Sequence, residues 1–239
     1  MDASKEDIIN KNIETEFDIS NKDAIDWLKS QDDNSINLFI TDPPYESLEK
    51  HRKIGTTTRL KKSKSSSNQW FEIFPNSRFE ELFKEVYRVL AKNSHFYLFC
   101  DQETAFIAKP IAENAGFKFW KPIIWDKMAI GMGYHYRARY EFILFFEKGK
   151  RKLNDLSIPD ILQEKRIWRG YPTEKPTNLA KTLIIQSSEE GDVVADAFCG
   201  AGFVGCASAE LKRNFKGNDL SAKAVEITNQ RLNKIKNPI

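Results

Sequence analysis

Asp42-Pro43-Pro44-Tyr45 closes an apolar run over residues 36–40, and a second run much later in the chain ends in Phe198-Cys199-Gly200-Ala201-Gly202. Two consecutive prolines fix φ and remove two N–H donors, so the first segment is rigid and sets unencumbered carbonyls between a carboxylate and a phenol. That arrangement suits a planar aromatic amine. The Asp42 carboxylate and the Pro43 carbonyl can each accept one of the two amino protons, while Tyr45 stacks on the ring. Standing alone, the tetrapeptide is equally a proline-rich strand end whose tyrosine packs on the core. In the second segment the glycines permit positive φ and close approach of backbone to ligand, and the following helix offers free N–H groups at its start. A lone Gly-x-Gly is more often a tight strand-to-helix turn. Asp219 adds to it, ending the next strand about 20 residues on, where an acid in a doubly wound fold meets ribose hydroxyls. That spacing by itself would also suit NAD, but a nicotinamide site leaves Asp42-Pro43-Pro44-Tyr45 and Lys175-Pro176 unexplained.

Such segments need a scaffold that ends strands side by side. Short runs rich in Ile, Val and Phe alternate with longer amphipathic stretches, which predicts an α/β sheet covered by helices on both faces. Strands are expected at 14–19, 36–41, 95–100, 117–125, 140–146, 192–198 and 215–218, seven in all. Helices are expected at 23–30, 78–90, 103–114, 178–187, 203–212 and 222–235. Ser77 and Glu80 have the spacing of a capping box for the second helix. Three stretches, 46–76, 127–139 and 149–171, fit neither period and read as long functional loops within one domain spanning 1–239.

The chain has 239 residues, 41% of them apolar and 12% aromatic, enough for one large core and short of two comfortable domains. Lys and Arg total 37 against 34 acids, and a net charge of +3 does not by itself announce a polyanion partner. The distribution says more. Lys50, Arg52, Lys53, Arg59, Lys61, Lys62 and Lys64 fall in one acid-free stretch shortly after Tyr45, and Tyr134, Tyr136, Arg137 and Arg139 mix aromatics with cations in another. The bland reading of the first is a solvated surface loop, and of the second strand-edge packing. Residues 1–12 carry no apolar signal core, and no stretch reaches the roughly 18 apolar residues of a membrane span, which points to the cytoplasm. Cys100, Cys199 and Cys206 form no Cys-x-x-Cys pair and have no His at metal spacing, so reduced core thiols and no metal site are expected.

With these residues in view, the chain resembles the amino-type DNA methyltransferases that use S-adenosylmethionine, in the permuted (beta) order where the Asp-Pro-Pro-Tyr segment precedes the Phe-x-Gly-x-Gly turn. Tyr171-Pro172-Thr173-Glu174-Lys175-Pro176 looks like the family's Pro-Thr-x-Lys-Pro segment, and Asn21-Lys22-Asp23-Ala24 like its adenosyl-contacting Asp-Ala. Tyr87-Arg88-Val89-Leu90 and Trp125-Asp126-Lys127, with Tyr136-Arg137 and Glu141 downstream, also match family patterns. Cys199 and Ala201 stand where Met or Ala and Ser are commoner, and Phe203-Val204 replaces a usual Thr-Thr pair.

The resemblance implies a Rossmann-like, seven-stranded, mostly parallel sheet with circularly permuted motif order. It implies catalysis by Asp42, Pro43, Pro44 and Tyr45 on the N6 amine of a flipped-out adenine in double-stranded DNA. The cofactor S-adenosylmethionine, leaving as S-adenosylhomocysteine, would meet Asp23, Ala24, Asp42, Lys175, Pro176, Asp196, Phe198, Cys199, Gly200, Gly202, Asp219 and Leu220, with Lys175 closing its pocket. The seven cations of the basic stretch, with Tyr136, Arg137 and Arg139, would face DNA. A homodimer and a cognate restriction endonuclease are further implied partners. The rivals are an N4-cytosine DNA methyltransferase, an RNA adenine methyltransferase, whose relatives usually carry Trp in place of Tyr45, and a non-catalytic DNA-binding subunit, which should have lost residues such as Asp42 and Gly200.

Overall fold

The structure, a computed structural model, describes residues 15–47, 72–131, 135–168, 171 and 173–237. Within them one sheet contains β1 (Phe17–Ser20), β2 (Ile36–Thr41), β3 (Leu90–Cys100), β4 (Lys118–Asp126), β5 (Tyr140–Lys148), β6 (Ile161–Gln163), β7 (Val193–Asp196) and β8 (Asn214–Asn218). The helices are α1 (Ala24–Lys29), α2 (Phe79–Val89), α3 (Gln102–Asn114), α4 (Thr177–Ser187), α5 (Phe203–Glu210) and α6 (Ala222–Lys236). Strand order is β1-β8-β7-β2-β3-β5-β4-β6, and every neighbouring pair is parallel except those that β5 makes with β3 and β4. The carboxyl ends of all strands but β5 therefore share one edge of the sheet.

A strand buried on both faces reads as an unbroken apolar run, and residues 96–100 of β3 show the consequence. Phe96, Leu98 and Cys100 enter one core with Trp27 and Leu28 of α1, Phe83 and Val86 of α2 and Ala108 of α3. Tyr97 and Phe99 enter another with Leu183 and Ile184 of α4, Val204 of α5 and Leu232 of α6. Three helices thus cover each face, and the free edge at the strand ends is left for the loops. Cys100, Cys199 and Cys206 are buried free thiols, as their spacing led us to expect.

The sheet has eight strands where seven were expected. The additional one, β6, lies inside the stretch read as a loop at 149–171 and pairs with β4 from Ile124↔Ile161 to Asp126↔Gln163. Three residues are too few for a period-2 pattern to register. β3 begins at Leu90 rather than His95, because the ladder slips between those residues where Asn93 turns through φ +61°. The capping box is also overturned. A 3₁₀ turn, Asn76–Arg78, runs into α2, Arg78 occupies the N-cap position, and no side chain caps it. Glu80 and Glu81 in the first turn still oppose the positive helix end.

Candidate active site

β2 and β7 are neighbours, but the chain leaves β2 toward β3 and β7 toward β8, on opposite sides. A crevice opens at such a reversal, outside the carboxyl ends of the strands. Thr41, the last residue of β2, donates its hydroxyl to Asp196 Oδ1 at the end of β7 (2.7 Å) and so clamps the two strand ends. Asp42 comes next. Its Oδ1 accepts the Tyr45 hydroxyl at 2.5 Å, and its Oδ2 is ion-paired with the Lys175 ammonium. Lys175 Nζ also stands 3.4 Å from Glu141 Oε2, and the other Glu141 oxygen meets Lys127 Nζ at 2.6 Å.

Carboxylates and ammoniums therefore alternate from Asp42 to Lys127. Lys175 is only 5% exposed, with its ammonium 5.4 Å from the centre of the Phe99 ring. Burial drives the Asp42 carboxyl above its ordinary value against the pull of Lys175. Burial also opposes the Lys175 charge, but attraction to Asp42 and Glu141 outweighs it and raises the ammonium above its ordinary value. The Tyr45 hydroxyl is pushed well up by burial and then by Asp42, so it remains a donor.

On the other bank of the crevice, Gly200 and Gly202 take φ of +51° and +79°. A Cβ at Gly202 would fall 2.9 Å from the Thr228 side chain on α6, whereas one at Gly200 would meet nothing nearer than Tyr171 at 3.9 Å. Gly202 is thus required by packing as well as φ, while Gly200 leaves room for a ligand to approach the backbone. Asp219, just past β8, accepts Gly200 N–H (2.9 Å) and Ser221 N–H (2.8 Å), one on each carboxylate oxygen. Each oxygen keeps a second lone pair able to accept from a ligand hydroxyl. Asp23 caps α1 by accepting from the Ile25 and Asp26 amides, and it pairs with Arg78 through two contacts of 2.7 Å.

Two further segments join the banks. Phe74 donates its N–H to Pro44 O (2.9 Å) and meets Phe198 edge-on at 5.0 Å, with the Arg78 guanidinium 5.2 Å over its ring. Glu174 takes the Tyr171 amide on one oxygen (3.1 Å) and Arg231 on the other (2.6 Å), while Arg231 also donates to the Ala201 carbonyl of the glycine turn (2.8 Å). Adjacent residues of one strap, Glu174 and Lys175, thereby hold the glycine turn and the Asp42 carboxylate. No local pattern in the sequence marks Phe74, Arg78 or Arg231, since the partners that tie them to the two banks, Pro44 and Phe198, Asp23, and Glu174 and Ala201, are distant in the chain.

One cavity of about 870 Å³ gathers Asp42, Pro43, Pro44, Tyr45, Asp23, Ala24, Lys175, Phe198, Cys199, Gly200, Asp219 and Leu220 in its wall. Three of the expected cofactor residues stand outside that lining. Pro176 is the N-cap of α4 and Gly202 the N-cap of α5. Asp196 is fully buried behind the turn, with Oδ1 bound by Thr41 and the Phe198 amide (3.0 Å) and Oδ2 unpartnered, and burial lifts its carboxyl to about 7. Of the residues expected to face DNA, Lys50, Arg52, Lys53, Arg59, Lys61, Lys62 and Lys64, with Tyr134, lie outside the described residues. Tyr136 and Arg137 are exposed on the connection from β4 to β5. Arg139 is committed to Asp126 at 2.6 and 2.7 Å, a fork that draws the Asp126 carboxyl down to about 2. Among the described residues no group of three or more His, Cys, Asp or Glu could hold a metal ion, and no helix is long and apolar enough to cross a membrane.

The crevice thus sets the Asp42-Pro43-Pro44-Tyr45 turn on one bank opposite a glycine turn on the other, with room between them for a ligand. The family model for N6 and N4 methyltransferases, described as DNA methylase, matches residues 36–230. The chain belongs to this family. Type II methyltransferase M.HpaI of Haemophilus parainfluenzae is 28% identical over 237 residues, covering 87% of this chain and 72% of the relative. M.HhaII of Haemophilus parahaemolyticus, also a type II methyltransferase, is 27% identical over 203 residues, covering 82% and 88%. The same fold occurs in the M1.HpyAVI complex with S-adenosylmethionine (TM-score 0.66, 21% identity, 90% and 99% covered) and in the cytosine-N4-specific PvuII DNA methyltransferase (0.70, 15%, 93% and 90%). This enzyme is accordingly a DNA methyltransferase dependent on S-adenosylmethionine. The cavity fits that cofactor: the open face of Gly200 admits a close-lying ligand, and the Asp219 carboxylate in the wall keeps free accepting capacity.

Proposed function

We propose that the acceptor is the exocyclic N6 amine of an adenine flipped out of double-stranded DNA. The observation that carries this reading is the presence of the Asp42 carboxylate and the Pro43 backbone in the wall of the cavity that holds the glycine turn. The amine is a poor nucleophile because its lone pair is delocalised into the ring. Accepting both amino protons, on Asp42 and on the Pro43 carbonyl, favours a pyramidal nitrogen whose lone pair faces the donor. S-adenosylmethionine, when bound, supplies a sulfonium methyl as electrophile. Asp42 would stabilise the positive charge growing on nitrogen as the methyl arrives, with the thioether S-adenosylhomocysteine as leaving group, and the methylated amine would then lose its proton through Asp42 to solvent. No covalent intermediate with the protein is required. Aspartate rather than serine at position 42 supports adenine over cytosine. Tyr45, in the cavity wall beside Asp42, supplies a ring for stacking that offsets part of the few kcal/mol needed to extrude the base. The type II names of the relatives support extending the reading to a cognate restriction endonuclease.

The test is incubation with isotope-labelled S-adenosylmethionine and bacterial genomic DNA, followed by mass spectrometry of the nucleosides. Labelled N6-methyldeoxyadenosine is expected. N4-methyldeoxycytidine in its place would reject the adenine reading, a possibility with its own support in the cytosine-N4-specific fold neighbour. Asp42→Ala is expected to abolish transfer while cofactor affinity stays within a few-fold, and undiminished turnover would reject the role of Asp42.

A further inference from the structure

The strand that sequence patterns missed leads to an exposed aromatic one residue beyond the cavity wall. β6 runs parallel to β4, so both end at the edge where the site lies. Beyond β6 the chain stays fastened there, because Glu164 N–H donates to Asp126 O (3.2 Å) and Trp125 Nε1–H donates to Glu164 O (2.8 Å). Arg166 and Ile167 then enter the cavity wall. Trp168, the next residue, is 72% exposed, and the Arg166 guanidinium carbon lies 4.4 Å from its ring centre. One face of the indole is thus backed by a cation, and the bulk of the ring is open to solvent. Lys165, next to Arg166 in the chain, is also exposed. An indole left in water and braced by a guanidinium offers a stacking platform for a base, with the positive charge nearby suited to backbone phosphate.

We propose that Arg166 and Trp168 form a DNA wedge, in which Trp168 stacks on the base face left bare in the duplex when the target is extruded. The proposal rests on base extrusion as read above and adds the residue that compensates for it on the duplex side. Ile167 is in the cavity wall and Trp168 follows it directly in the chain, so the platform lies within one residue of the chamber that receives the flipped base. Arg166, stacked beneath the indole, is the positioning residue that holds its plane.

A recognition sequence is not needed for the test. Two 25-base-pair duplexes of one sequence, intact and with a single central abasic site, are compared by fluorescence anisotropy, since the abasic site bares base faces without extrusion. The wild-type enzyme should bind the gapped duplex at least fivefold tighter, Trp168→Ala should lose that preference, and Trp168→Phe should keep most of it. With genomic DNA as substrate, Trp168→Ala should raise KM for DNA about tenfold, with KM for S-adenosylmethionine unchanged. An exposed side chain can be removed without unfolding the enzyme, and the unchanged cofactor KM verifies this. A wild-type enzyme indifferent to the gap, or a Trp168→Ala enzyme that still prefers it, overturns the wedge. Failure of the adenine reading is seen separately, as the wrong methylated nucleoside from wild-type enzyme, and leaves the gap preference standing.

Discussion

Replacing Lys175 by Met keeps the length of a side chain that is only 5% exposed and removes the one cation among the described residues that is ion-paired with Asp42. Lys175 also stands 3.4 Å from Glu141, so the substitution leaves two carboxylates facing an apolar side chain with, among the described residues, Lys127 and the Tyr45 hydroxyl to answer them. At an effective dielectric of about 20, a charge about 4 Å away is worth about 4 kcal/mol, and at about 1.4 kcal/mol per pH unit that moves a carboxyl by about 3 units. The direction is upward, added to the rise that burial already imposes on Asp42. Because transfer needs the ionised carboxylate, the acid limb of kcat against pH should shift to higher pH by 2 to 3 units or so. Stability follows the same sign. Above the shifted value the unpaired buried charge should cost about 3–5 kcal/mol, and the deficit should shrink as pH falls and Asp42 takes up a proton. The assays are kcat at saturating cofactor from pH 5 to 9, calorimetric cofactor affinity, and urea unfolding at both ends of that range. An unmoved acid limb with cofactor affinity down a hundredfold would refute the reasoning and return Lys175 to closure of the cofactor pocket, the role expected from sequence.

Gly202→Ala should cost about 2 kcal/mol or more in urea unfolding, from the left-handed φ and the overlap with Thr228, and Thr228→Ala should restore part of it; unfolding at the wild-type midpoint would contradict this packing. His95 is held neutral, with Nδ1 accepting the Ser187 hydroxyl and Nε2–H donating to the Arg151 carbonyl, and burial lowers its value from 6.5 to about 4. The unfolded chain therefore binds the proton first as pH falls. The stability advantage of wild type over His95→Gln, full above pH 6.5, should shrink by about 3 kcal/mol by pH 4, and a difference independent of pH would show that the histidine is not held neutral. Replacing Lys61, Lys62 and Lys64 by Ala should weaken DNA binding and reduce the slope of log K against log salt by up to about 3, whereas an unaltered slope would make the stretch a solvated surface loop.

The sheet was legible wherever a strand is buried on both faces. Residues 38–40 of β2 and 96–100 of β3 read as unbroken apolar runs because alternate residues such as Leu38 and Phe39 enter different cores, whereas Asn37 and residues 92–95 break the pattern earlier in each strand. β6 was not legible. Its burial alternates exposed, half-buried, exposed over three residues, and it exists because β4 offers an edge to pair with rather than because its own residues prefer the extended state. Ser77 illustrates the converse failure, a local signal with a sound mechanism that lost to tertiary demand. Arg78 is wanted at Asp23, and the chain reaches it through a 3₁₀ turn that places Ser77 one residue too early to cap.

In the candidate site, residue identity was readable and partnership was not. Asp42, Tyr45, Gly200 and Asp219 announce themselves by type and spacing, and all four line one cavity. What spacing cannot convey is that Lys175, 133 positions from Asp42, approaches its carboxylate rather than the glycine turn. The consequence bears on catalysis. One Asp42 oxygen is engaged by Lys175 and the other by the Tyr45 hydroxyl, so an incoming amine must use a second lone pair or displace the phenol. Displacement frees Tyr45 for the stacking that its place in the cavity wall allows, and it hands the carboxylate oxygen to the amine in the same motion. Tyr45→Phe separates the alternatives. If the phenol must leave, the variant should bind the extruded base at least as tightly as wild type, since no hydrogen bond is broken on entry. If the second lone pair suffices, loss of the Tyr45 donor should instead raise Asp42 further and move the acid limb of kcat to higher pH, as Lys175→Met does but by less.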